Sequence, residues 1–70
     1  DKMLRMFIKT YNQYGSYVAY SSTTWGRLEE DIKMELKRHG LRNISRIDIQ
    51  IDGKIHKSLR VGDLKEMVAA

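Results

Sequence analysis

Seventy residues without a cysteine form one small domain that an apolar core, and no disulfide, must hold together. A hydrophobic fraction of 41% excludes a disordered chain, and no apolar run reaches the roughly 18 residues of a membrane span. Thirteen basic and nine acidic residues give a modest net charge of +4. We therefore expect a single domain over residues 1–70, located in the cytoplasm.

The chain opens with a strand in which apolar and polar residues alternate. The two rows are Leu4, Met6 and Ile8 on one side and Arg5, Phe7 and Lys9 on the other. A period of two is typical of a strand with one buried face. A second strand is predicted near residues 16–21, with Val18 and Tyr20 as its inward pair.

Face parity determines the turn between these two strands. Keeping the even-numbered residues inward on both strands requires an odd number of loop residues. We therefore predict a three-residue loop at 13–15, with Gly15 in the left-handed conformation. The predicted cross-strand pairs are Thr10–Val18 and Ile8–Tyr20 on the inner face and Tyr11–Tyr17 on the outer face.

A single apolar stripe predicts the central helix. Its members are spaced three, four and four residues apart: Trp25, Leu28, Ile32 and Leu36. Pairs of opposite charge one turn apart support it: Glu29–Lys33 and Arg27–Asp31. Gly40 is expected to end the helix, with Leu41 folding back on its last turn.

A second hairpin follows the helix. Residues 46–51 alternate β-branched and polar side chains, which predicts a strand with one buried face. Asp52 and Gly53 would normally indicate a two-residue turn, but that register places polar residues of the next strand on the core face. We therefore predict a three-residue loop that ends at Gly53 and pairs Ile49 with Ile55.

The C-terminal segment completes the predicted fold. Asp63 and Glu66 have the spacing of a capping box and predict a short helix, with a brief strand as the alternative. A right-handed crossover through the central helix places strand 3 beside strand 1. The predicted class is α+β: a ββαββ antiparallel sheet of order 2-1-3-4, one helix on one face and a short C-terminal helix. In element order it is similar to the ubiquitin-like β-grasp fold.

Catalytic chemistry is not expected from this sequence. It contains no glycine-rich phosphate loop, no paired-histidine metal motif and no cysteine nucleophile. His39 is predicted in the last helical turn, where a cation suits the dipole, and His56 is predicted to face Asp48 across the second hairpin. We therefore predict a binding module that is not an enzyme, with no cofactor, no metal ion, no membrane contact and no small-molecule substrate.

The first candidate binding surface is the tyrosine-rich first hairpin. Strand 2 is expected at the edge of the sheet, where a partner strand or a second copy of the chain can pair with it. Tyrosine buries a large area at low entropic cost, which suits protein recognition. The candidate residues are Tyr11, Tyr14, Tyr17, Val18 and Ala19. The alternative explanation is that these tyrosines are simply good strand formers.

The second candidate surface is basic and suits nucleic acid. Four cations cluster at the predicted end of the helix, with no acidic residue between them: Lys37, Arg38, Arg42 and Arg46. On the open sheet face, Arg5 and Lys9 flank Phe7 and Tyr11. Cations for phosphates and rings for stacking are the two ingredients required. Asp48 and Asp52 on the same face argue against this, so protein binding is the preferred hypothesis and nucleic-acid binding the alternative.

Overall fold

A computed structural model describes residues 5–70 as a four-stranded antiparallel sheet with two helices. The elements are β1 Met6–Asn12, β2 Tyr17–Thr23, α1 Leu28–His39, a 3₁₀ turn Leu41–Asn43, β3 Ile44–Ile51, β4 Lys54–Arg60 and α2 Val61–Ala69. The strand order is β2-β1-β3-β4, which confirms the predicted α+β class and the order 2-1-3-4. The predicted strand residue Leu4 lies outside the described residues.

The core lies between one face of the sheet and both helices. Its members are all aliphatic: Met6, Ile8, Ile32, Leu36, Ile44, Ile47, Ile49, Leu59 and Leu64. Ile32 and Leu36 come from α1 and Leu64 from α2, so the two helices cover the same face. The other face of the sheet, to which alternate strand residues point, is left open because both helices lie on the first face. Within residues 5–70, neither helix is long and apolar enough to cross a bilayer.

The first hairpin has the predicted loop but a different register. Gly15 has a φ of 85° and donates its N–H to the carbonyl of Asn12 at 3.1 Å, which closes the loop. Tyr11 pairs with Tyr17 as predicted, but Val18 is an extra residue in a β-bulge. The resulting pairs are Thr10–Ala19 and Ile8–Ser21, so the predicted pairs Thr10–Val18 and Ile8–Tyr20 are wrong.

The bulge at Val18 has a packing reason on each face of β2. On the outer face, the ring of Tyr20 stacks on Phe7 with the ring centroids 4.7 Å apart. On the inner face, the hydroxyl of Thr23 donates to Asp31 of α1 at 2.7 Å. The inner positions of β2 that follow the bulge, Ala19, Ser21 and Thr23, are small or polar.

The helix α1 starts later than the apolar stripe predicts. Its first residue is Leu28, and Trp25 lies in the preceding turn with 58% of its surface exposed. The helix therefore begins beyond Gly26, a residue with low helix propensity. The prediction that Trp25 belongs to the buried stripe is wrong, and its ring instead lies edge-on to His56 with centroids 5.6 Å apart.

Other predicted features of α1 are confirmed. The ion pairs Glu29–Lys33 and Arg27–Asp31 have N–O distances of 3.1 and 3.5 Å. Gly40 ends the helix with a φ of 86° and donates its N–H to the carbonyl of Leu36.

The second hairpin corrects the predicted loop. Asp52 and Gly53 have φ angles of 52° and 81°, as a two-residue type I′ turn requires. Gln50 then pairs with Ile55, which lies on the outer face and is 59% exposed, so the predicted pairing of Ile55 with Ile49 is wrong. An irregularity at His56 restores the register before the strand ends, because parity can be corrected within a strand as well as within its loop.

The C-terminal segment is a helix, which decides between the two predicted alternatives. It begins at Val61, two residues before Asp63. The carboxylate of Asp63 accepts a hydrogen bond from the backbone N–H of Arg60 at 3.0 Å. Asp63 is therefore not the capping residue but the third residue of the helix, and Arg60 occupies the cap position.

Candidate functional site

Four aromatic side chains lie together on the open outer face of the sheet. Tyr11 and Phe7 come from β1, and Tyr17 and Tyr20 lie opposite β1 on the edge strand β2. In a regular strand, residues 17 and 20 would point to opposite faces. The bulge at Val18 turns both toward the outer face, a consequence that the sequence pattern alone did not indicate.

A lysine side chain lies among three of these rings. The ammonium nitrogen of Lys9 is 4.8 Å from the ring centroid of Tyr17, 5.5 Å from Tyr11 and 6.0 Å from Tyr20. These distances are within the range in which a cation is attracted by an aromatic ring. We call Lys9 and its three surrounding tyrosines the tyrosine cluster.

The rings of the tyrosine cluster are also held from outside. Tyr20 stacks on Phe7 with an interplanar angle of 6°, and its hydroxyl donates to the side-chain oxygen of Gln50 at 3.2 Å. The guanidinium of Arg46 lies 3.8 Å from the ring centroid of Tyr11. One face of the Tyr11 ring and one face of the Tyr20 ring are therefore in contact with other side chains, while Tyr17 is 59% exposed.

Arg46 belongs to a polar network beside the cluster. Its Nε donates to both carboxylate oxygens of Asp48 at 3.2 and 3.3 Å, and the hydroxyl of Ser58 donates to the same carboxylate at 2.7 Å. Asp48 is fully buried, and a buried carboxylate is tolerated only when it is paired in this way. The prediction that His56 faces Asp48 is wrong: Asp48 pairs with Ser58, and His56 is the extra residue of the irregularity between Ile55 and Lys57.

The same network shifts the pKa of Arg46. Loss of solvent around the guanidinium by itself lowers the pKa of Arg46. Hydrogen bonding to Tyr11 and the charge of Asp48 outweigh this effect, and the net pKa of Arg46 is raised above its ordinary value. Arg46 is therefore a permanent cation that is already paired within the chain.

The predicted partner-binding residues do not all share one face. Tyr14 is at the hairpin tip with 82% of its surface exposed, and Tyr17 is 59% exposed. Val18 is 43% exposed at the bulge, whereas Ala19 is half-buried on the inner face, opposite Thr10. Tyr11, Tyr14, Tyr17 and Val18 are thus accessible at this edge, and Ala19 contributes backbone only.

The hairpin tip is rigid because one side chain organises its backbone. The side-chain oxygen of Asn12 accepts hydrogen bonds from the backbone N–H of Tyr14 at 2.9 Å and of Ser16 at 3.0 Å. Its backbone N–H also donates to the carbonyl of Ser16 at 2.8 Å. These bonds fix the position of Tyr14 relative to the edge strand β2.

The predicted basic residues are dispersed by the fold. Arg38 forms an ion pair with Glu35 at 3.3 Å on α1, and Arg46 points to the opposite side of the sheet. Arg5 is exposed, and its backbone N–H is bonded to Asp52. Lys37 and Arg42 line surface hollows on the helix side. Two of these four cations are thus paired with acids just outside the run, Arg38 with Glu35 and Arg46 with Asp48.

Known proteins do not assign this surface. No protein-family model, curated protein or solved structure matches the chain. In the described part of the chain, no three His, Cys, Asp or Glu residues are grouped in a way that could hold a metal ion. The tyrosine cluster, its polar network and the open edge of β2 are therefore the observations that bear on function.

Proposed function

We propose that this chain is a non-catalytic protein-binding module that uses the tyrosine cluster and the adjoining edge of β2. The observation that supports it most is the grouping of three tyrosine rings around Lys9 on an open face of the sheet. A side chain that is already ordered loses little conformational entropy when a partner binds. Tyrosine also offers both apolar area and a hydroxyl group, a combination that is enriched in protein interfaces.

The contacts of the rings favour a protein partner over nucleic acid. Base stacking needs an open ring face, and Arg46 occupies one face of Tyr11 and Phe7 one face of Tyr20. Phosphate binding needs available cations, whereas Lys9 lies among three rings and Arg46 is paired with Asp48. Nucleic-acid binding remains the alternative hypothesis, and it makes a different prediction for salt dependence.

The edge of β2 provides a second element of recognition. An edge strand exposes backbone groups with which an extended segment can pair, and β2 has no lysine or proline to prevent this. The bulge at Val18 is itself a feature that discourages pairing, so we expect a partner strand to use the regular part of β2, residues 19–23. The partner is another protein or a second copy of this chain.

A pair of matched substitutions tests the proposal. Tyr17 and Ile55 are both on the outer face and both 59% exposed, but they lie on opposite edges of the sheet. Tyr17→Lys is expected to weaken partner binding at least about tenfold, because buried aromatic anchors contribute about 2 kcal/mol or more at interfaces. Ile55→Lys is expected to change binding less than about twofold.

The measurement combines affinity capture from the source cell with light scattering of the purified protein. Proteins retained by the wild type and by each variant are quantified by mass spectrometry, and light scattering reports self-association. Thermal unfolding confirms that both variants are folded. Equal retention of the same partner by wild type and Tyr17→Lys, together with unchanged self-association, would refute the proposal.

Salt separates the two ligand classes. A nucleic acid bound through three phosphates loses roughly 20- to 40-fold in affinity between about 50 and about 200 mM salt. We expect a change of less than about threefold for a partner held by tyrosine contacts and backbone pairing. Binding that a nuclease abolishes, with the steep salt dependence, would favour the nucleic-acid alternative.

A further inference from the structure

A second open surface lies on the helix side of the sheet, between the C-terminal half of α1 and the helix α2. Two adjoining hollows of about 270 and 600 Å³ share Leu41 and form one groove. Its apolar lining consists of Leu36, Leu41, Ile44, Val61 and Val68. We call this the helical groove.

The rim of the helical groove carries only positive charge. Its charged lining residues are Lys33, Lys37, Arg42 and Lys65. Lys33 is paired with Glu29 at 3.1 Å. The other three cations take part in none of the ion pairs formed within residues 5–70, in contrast to Arg38 and Arg46. Three uncompensated cations therefore surround an apolar floor.

The exposed apolar residues of α2 are not explained by the core. Leu64 is fully buried and attaches the helix to the sheet. Val61 is 38% exposed and Val68 is 52% exposed. Val61, Lys65 and Val68 are spaced four and three residues apart, so they share one helix face, and all three line the groove. The two valines and the neighbouring cations offer a protein ligand both apolar area and charge.

We infer that the helical groove binds an acidic amphipathic segment of a partner protein. Its apolar side chains would lie along the floor, and its carboxylates would meet Lys37, Arg42 and Lys65. Complementary charge of this kind selects the partner and increases the association rate. The surface is on the opposite face of the sheet from the tyrosine cluster, so the inference does not depend on the function proposed above.

The shape and chemistry of the groove distinguish this ligand from other polyanions. Its floor is formed by leucine, isoleucine and valine and offers no aromatic ring on which a nucleic-acid base could stack. Its apolar residues lie in a concavity, whereas a membrane surface is reached by apolar residues that protrude into the lipid. A peptide helix with an apolar stripe and acidic flanks matches both the floor and the rim.

Binding of designed peptides to the full chain tests the inference. The probe is a fluorescein-labelled helix of about 14 residues with leucines on one face and glutamates elsewhere. Two control peptides have the same composition in scrambled order, or lysine in place of every glutamate. Fluorescence anisotropy is expected to give a Kd of about 10–100 μM for the probe and at least tenfold weaker binding for both controls. Backbone amide NMR shifts are expected at Leu41, Val61, Lys65 and Val68.

Matched variants identify the groove as the site. Lys37→Glu and Lys65→Glu are each expected to weaken probe binding at least about tenfold, because like charges repel across the interface. Lys54→Glu makes the same change in the second hairpin and is expected to have less than about twofold effect. Val68→Ser is expected to weaken binding about three- to tenfold, and Ile55→Ser, on the second hairpin, less than about twofold. All five substituted residues are exposed, and thermal unfolding confirms that each variant is folded.

Clear outcomes would overturn the inference. No saturable probe binding below about 1 mM, or equal binding of the scrambled peptide, would exclude an amphipathic acidic ligand. NMR shifts confined to the tyrosine cluster would place the site elsewhere. Binding of phosphatidylglycerol vesicles or of a single-stranded oligonucleotide, without binding of the probe, would assign the groove to a membrane or to nucleic acid instead.

Discussion

A substitution at Thr10 tests the packing of the sheet that supports both surfaces. It lies in the centre of the sheet between Ala19 and Ile47 and is fully buried. Its hydroxyl has no hydrogen-bond partner within residues 5–70. Burying an unpaired hydroxyl costs about 1–3 kcal/mol in proteins, and valine has nearly the same shape without that group. Thr10→Val is therefore expected to raise the free energy of unfolding by about 1–2 kcal/mol.

Thr23 provides the matched control. Its hydroxyl donates to Asp31 at 2.7 Å, so the same substitution there removes a bond to a charged acceptor. Thr23→Val is expected to lower the free energy of unfolding by about 1–2 kcal/mol. Urea and thermal unfolding measure both variants, and for a domain of this size 1 kcal/mol shifts Tm by roughly 4–8 °C.

The sign of the two changes decides the outcome. Opposite shifts, with an unchanged dependence on urea, would attribute the difference to hydroxyl pairing alone. A lower Tm for Thr10→Val would refute the reasoning, because it would show that the Thr10 hydroxyl is satisfied in solution. A higher Tm for both variants would show that valine stabilises these strand positions whether or not the hydroxyl is bonded.

Two further substitutions examine the network and the second turn. Asp48→Asn is expected to lower the free energy of unfolding, measured in urea, by at least about 2 kcal/mol. Ser58→Ala removes one neutral donor to the same carboxylate and is expected to have a smaller effect. The reverse order would contradict the assigned ion pair. Gly53→Ala is expected to lower stability by about 1 kcal/mol because Gly53 has a φ of 81°, whereas Gly26→Ala, without positive φ and with nothing near the added Cβ, is expected to be neutral or stabilising in thermal unfolding. Equal effects of the two glycine substitutions would contradict the turn geometry.

The alternation in β1 and β3 was sufficient to predict the fold, because burial of one face imposes a period of two on their apolar residues. Parity alone did not decide where an extra residue lies. Two arrangements at Gly53 return the chain to the same face: a three-residue loop, or a two-residue turn followed by a bulge. The preference of Asp-Gly for a type I′ turn determined that the second occurs. In β2 the inner residues Ser21 and Thr23 are polar, so no apolar pattern indicated the bulge at Val18.

The candidate binding surfaces were predicted only in part because they depend on pairing between distant segments. The Tyr11–Tyr17 pair followed from the hairpin loop. The position of Tyr20 beside Lys9 required the bulge, and the position of Arg46 over Tyr11 required the β1–β3 register. From the sequence alone, Arg46 was instead assigned to the group of cations near the end of the central helix. The helical groove depends on α2, whose structure as helix or strand was left open by its short sequence signal.

The distribution of aromatic residues bears on the alternative that the tyrosines are only strand formers. A domain of 70 residues has few large side chains with which to build a core, and aromatic residues contribute most per side chain. Yet all nine core residues are aliphatic, and none of the six aromatic residues of the chain is buried. Strand propensity would be served equally by valine or threonine on the outer face. Fixing the rings around a lysine on an open face, where the core gains nothing from them, is better explained by recognition of a partner.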